Sequence, residues 1–185
     1  MNLFGPIVLL AVAYLSVYAQ TAFHLPRVLL GTQINLLPAL VVYASLAEGI
    51  FTVAAVSIIG GFLFDSLSEN PVGVSTLPLF ISGFFIFRRR NLLLRQNTYA
   101  QFVLGTMAGA AVPLLSILIL LTIRQKPLIG WTSLWQWFVL AITSGLLTPV
   151  CFGFFARLNR ALSYQQISES SFRPDREIKR DRFLK

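Results

Sequence analysis

Residues 96–123 read QNTYAQFVLGTMAGAAVPLLSILILLTI, twenty-eight positions without one Asp, Glu, Lys or Arg. A bilayer-spanning helix needs roughly 20 mostly apolar residues, and this stretch supplies them with several to spare. Working outward, five more stretches lack those four residue types: 1–26, 28–47, 49–64, 70–87 and 127–156. Together the six cover about three quarters of the 185 residues. Only 12% of the chain is charged, about half the share of an ordinary soluble domain. A water-soluble surface requires charge, whereas lipid does not, so the expected class is an all-α polytopic membrane protein.

Other classes fall away. The single cysteine, Cys151, permits no internal disulfide and no cysteine metal cluster, and the single histidine, His24, no multi-histidine site. A net charge of +8 could suggest nucleic acid, but the basic residues sit at the edges of apolar runs and in one tail. That pattern belongs to membrane topology, so no nucleic-acid partner is expected. The first run, Leu3–Phe23, is long for a signal h-region and has no basic flank or clear cleavage site, so it is expected to stay as a helix.

The spacing predicts spans at about 3–23, 34–47, 50–64, 72–87, 98–123 and 131–156. An amphipathic exit follows to 164, where Leu158, Ala161 and Leu162 share a face beside Arg157 and Arg160. Residues 1–164 form one helical bundle in this reading, and 165–185 a flexible basic tail. Glu48-Gly49 is the only break between the second and third spans, which form a tight hairpin with little length for two crossings. Prolines at 38, 78, 113 and 149 are expected to bend their helices into a compact bundle, each freed carbonyl being met by a neighbour. With six spans and the N-terminus in the cytoplasm, twelve Lys and Arg fall inside, including Arg88, Arg89, Arg90 and Arg95. Only Arg27, Arg124 and Lys126 fall outside, which satisfies the positive-inside rule. The N-terminus has no charged side chain, so five spans stay open as an alternative.

Four features could carry function. Asp65 ends an apolar run near the outer interface, where an acid is costly and often functional; the plainer reading is a wetted acid capping the next turn. Ser66 and Glu69 have capping-box spacing. Gly105 and Gly109 make a Gly-x-x-x-Gly step, open to a partner helix or to packing within the chain, and Ser57 with Gly61 makes a weaker one. Arg88, Arg89, Arg90 and Arg95, with Arg157 and Arg160, serve as topology signals or bind anionic lipid. Trp131, Trp135 and Trp137 read as an interfacial belt. No catalytic set and no cofactor or metal site can be assembled.

The stretch Gly60–Phe85, GGFLFDSLSENPVGVSTLPLFISGFF, resembles the central signature of the bacterial rod shape-determining MreD family. That signature is a glycine-containing helix ending in Asp-x-Leu, a polar turn, then Pro-x-Gly and a second apolar helix. Asp65, Leu67, Pro71 and Gly73 match it, while Glu69-Asn70 replaces the family's small, glycine-rich turn. The resemblance implies a non-enzymatic inner-membrane subunit of the elongation machinery, and the charge split adds the expectation that both termini are cytoplasmic. It would bind an MreC-like single-span protein and help couple MreB filaments to RodA and a class B penicillin-binding protein. It also implies a fold like the substrate-binding subunits of energy-coupling-factor transporters. The alternative function is therefore a solute-binding subunit of a vitamin-type uptake transporter. Such subunits carry an Ala-x-x-x-Ala step in the first helix, which Ala11, Ala13 and Ala19 do not provide. A membrane enzyme acting on lipid-linked substrates would need an acid or histidine set that is not visible.

Overall fold

A computed structural model describes residues 4–22, 31–32, 34–68, 71–90, 97–124 and 130–163. Six helices account for almost all of them: α1 Phe4–Ala22, α2 Leu37–Ala47, α3 Ile50–Leu67, α4 Thr76–Arg89, α5 Thr98–Thr122 and α6 Trp131–Ser163. Three of these, α3, α5 and α6, are long and apolar enough to cross a membrane; α1 and α2 hold shorter apolar stretches. His24, Arg27, Glu69, Arg95, Lys126 and the tail beyond 163 lie outside the described residues. The chain divides into two compact units, Met1–Phe152 and Gly153–Lys185. In the second, the described part is the last eleven residues of α6, where Arg157 and Arg160 are exposed and Phe154 meets Phe155 edge to face.

In the first unit α2 is the centre. Every residue from Leu37 to Leu46 is buried, and α1, α3, α4 and α5 all pack on it. A helix apolar on all sides belongs in the middle of a bundle. Its start is set locally: Asn35 Oδ1 accepts the Leu37 N–H at 2.9 Å, and Pro38 occupies the first turn, where its missing N–H matters least. Its end is set by Glu48 as the closing residue and Gly49 as the cap of α3. With 11 residues, α2 is about 16 Å long, about half of a hydrocarbon core of about 30 Å, so in a six-span bundle the chain flanking it completes that crossing.

Three helices approach one another closely at Gly83 of α4. A Cβ built there would lie 2.6 Å from Val41 Cγ1 and 2.7 Å from Val53 Cγ1, so α2, α3 and α4 converge on a missing side chain. Beside it the Ser45 hydroxyl, fully buried, is shared between the carbonyls of Val41 at 2.7 Å and Gly83 at 3.0 Å. Val42 and Leu46 of α2, Ile86 of α4 and Leu104 and Ala108 of α5 close a hydrophobic cluster, with Phe152 against it. Tyr43 meets the Phe152 ring edge-on at 4.9 Å.

The predicted boundaries shift in informative ways. The third span does not stop at Phe64; α3 runs on to Leu67 and places Asp65 inside its last turn. The fourth does not begin at Val72, because Gly73 has φ +98° and cannot be helical; α4 begins at Thr76. Pro38 and Pro78 then fall in first turns and bend nothing. Of these four, Pro113 and Pro149 sit inside helices. Near Pro113, the indole N–H of Trp137 on α6 donates to the Ala110 carbonyl at 2.8 Å, in the turn of α5 that the proline disturbs.

Candidate functional site

The turn between α3 and α4 is organised around one carboxylate. Asp65 is 1% exposed. Its Oδ2 accepts the backbone N–H of Gly73 at 2.8 Å and of Ser75 at 3.1 Å. A helix start leaves its first N–H groups without intrahelical partners and carries partial positive charge. Asp65 meets both needs from a different helix. Its backbone carbonyl also closes α3, accepting the Ser68 N–H and the Ser68 hydroxyl, each at 3.2 Å. One residue therefore ties the end of α3 to the beginning of α4.

Glycines allow the two helices to come that close. A Cβ on Gly61 would lie 2.6 Å from the Thr76 Cα and 2.9 Å from its N, both backbone atoms that cannot turn aside. Gly60 faces the Leu37 side chain on α2. Gly73 has a different reason: nothing stands within 4 Å of a Cβ built there, so the residue is required by its positive φ and not by a close neighbour. Within the turn, Val74 N–H bonds to the Pro71 carbonyl at 3.3 Å, and Leu77 N–H to that of Gly73 at 3.4 Å.

The capping-box expectation is corrected. Ser66 lies inside α3 and its hydroxyl donates back to the Leu63 carbonyl at 2.8 Å, so it caps nothing downstream. Asp65 does that work instead. Leu67 and Val72 stand exposed on either side of the turn, as does Phe62 one turn below. The second carboxylate oxygen, Oδ1, is buried and has no hydrogen-bond partner among the described residues, and Ser57 Oγ on the same face of α3 is in the same state.

The remaining candidates lie elsewhere. Gly105 and Gly109 pack within the chain, which removes them as a free partner surface. A Cβ on Gly105 would strike the Thr148 hydroxyl, and one on Gly109 would lie 2.5 Å from Ser144 Cβ and 3.0 Å from the Leu140 carbonyl oxygen. Gly145 faces Thr106 in return, so α5 and α6 interlock through small residues on both sides. Arg88, Arg89 and Arg90 end α4 and are exposed; Arg95 is outside the described residues. Trp131, Trp135 and Trp137 are exposed at the start of α6. Among the described residues, no group of three or more His, Cys, Asp or Glu is placed to hold a metal ion.

Two positions went unremarked in the sequence. Gly83 follows Ser82 in an apolar run, and a small pair in a predicted span is a general signal of close packing. Ser75 acts only through its backbone N–H, for which no sequence signal exists. No protein-family model, no curated protein and no solved structure matches the chain.

Proposed function

We propose that the chain is a non-enzymatic subunit of the bacterial elongation complex, similar to MreD, residing in the inner membrane with both termini in the cytoplasm. Its Asp65–Gly73 turn would present a rigid surface to an MreC-like single-span partner. Through that partner the subunit helps couple MreB filaments to RodA and a class B penicillin-binding protein. The observation that carries the reading is the turn itself. The four residues that resemble the family signature, Asp65, Leu67, Pro71 and Gly73, lie in one element organised by the Asp65 carboxylate. Leu67 and Val72 are exposed there for contact. A fold like that of energy-coupling-factor binding subunits belongs to the same proposal.

The test is co-purification after mild solubilisation from a bacterial membrane. A single-span protein with an outer domain should come down with the intact chain, and should be lost with Leu67→Glu while the chain stays abundant. Recovery of an ATPase module in its place would support the solute-binding alternative and overturn the scaffold.

A further inference from the structure

The arginine triplet that closes α4 does not act as three equal charges. Arg90 is held in place: its Nη1 donates to the Glu48 carbonyl at 3.1 Å, and its guanidinium carbon sits 4.4 Å from the centre of the Phe87 ring. It braces the last turn of α4 against the α2–α3 corner. Arg88 and Arg89 differ. Both are exposed, and neither side chain makes a hydrogen bond, ion pair or ring contact among the described residues. Among the described residues the acid beside this corner, Glu48, makes no ion pair with them, and its carboxylate lies against Gly5 of α1. Two guanidiniums without a partner among the described residues thus stand at the C-terminal end of α4, which the proposed orientation sets at the cytoplasmic headgroups. Planar forks of N–H donors suit the oxygens of a phosphodiester.

We infer that Arg88 and Arg89 form a binding site for an anionic phospholipid headgroup, and that Arg90 is the structural brace that holds that turn in position. The division goes beyond a topology signal, which would use the three charges alike. It also stands apart from the scaffold reading, because it concerns the opposite end of α4 from the Asp65 turn.

The experiment uses the purified full chain in nanodiscs of phosphatidylcholine with or without phosphatidylglycerol. Lipid retention is read by native mass spectrometry and stability by thermal unfolding. For the wild type, phosphatidylglycerol should be retained and should raise the unfolding midpoint. Arg88→Gln/Arg89→Gln should weaken retention about thirty-fold, from two charges near an anionic surface, while its midpoint in phosphatidylcholine matches the wild type. Arg90→Gln should show the converse, a lower midpoint in both lipids with retention kept. Arg88→Lys/Arg89→Lys preserves the inserting charge in case the glutamine pair misinserts, and should still bind several-fold more weakly because the bidentate fork is gone. Equal loss of retention in Arg90→Gln and the glutamine pair would overturn the division. Unchanged retention in the lysine pair would reduce the site to diffuse charge. A midpoint shift produced by inorganic phosphate alone would overturn the headgroup assignment.

Discussion

Removing the Asp65 carboxylate strips the acceptor from two N–H groups at the start of α4, a buried one at Ser75 and a half-buried one at Gly73. Each unsatisfied buried group costs about 1–3 kcal/mol, so Asp65→Ala should be strongly destabilising. Asp65→Asn keeps one oxygen for Gly73 and Ser75 and gives up the charge, which near a helix start is worth about 0.3–1 kcal/mol. Unfolding in detergent should rank wild type above Asn above Ala, and complementation of cell shape should follow if the scaffold proposal holds. Equal midpoints for Ala and wild type would remove the cap from the account. The neighbouring glycines separate by mechanism. Gly73→Ala and Gly73→Leu should cost about the same, roughly 1–2 kcal/mol, because only the backbone is strained and space is open. Gly61→Ala should already be severe, because the Thr76 backbone stands where its methyl would go. A Gly73 series that worsens with side-chain size would contradict the open surroundings. Asp65 was readable as a cap from its place after an apolar run and before Pro71. Its partners were not, because hydrogen bonds to Gly73 and Ser75 span eight and ten residues and leave no periodic trace.

At the scale of elements, helix count and order follow from charge-free runs, and Glu48-Gly49 marks the α2–α3 corner because a charge and a glycine interrupt an apolar pattern. The start of α4 was misplaced for a physical reason: Pro71 suits a first turn, but Gly73 at positive φ prevents the helix from closing until Thr76. The α5–α6 pair carries two predictions. Gly109→Leu forces a branched side chain into Ser144 and the Leu140 carbonyl, and overpacking of this kind costs about 1–3 kcal/mol or more. Detergent stability should fall before any partner is considered; a normal midpoint with a lost partner would return this face to the interface. Trp137→Phe keeps the ring and removes the indole N–H from the Ala110 carbonyl. Between membrane helices such a bond is worth about 0.6–2 kcal/mol, so the drop should be small but measurable.

For the whole molecule, the proposed orientation is tested by single cysteines in a Cys151→Ser background. Thr132→Cys, exposed at the start of α6, should react with an impermeant reagent added outside intact cells. Thr98→Cys, exposed at the start of α5, should react only after permeabilisation. The opposite pattern would invert the bundle. A membrane helix leaves the translocon sideways when lipid suits it, but α2 is short and its whole circumference is covered by four other helices. Protein, not solvent, surrounds it in the finished unit. The expectation is that the nascent chain keeps α2 in a protected place, in the translocon or beside an insertase, until α4 and α5 have been made. A chain ended after Leu67 should be recovered bound to the insertion machinery or degraded, whereas one ended after Thr122 should release into the bilayer.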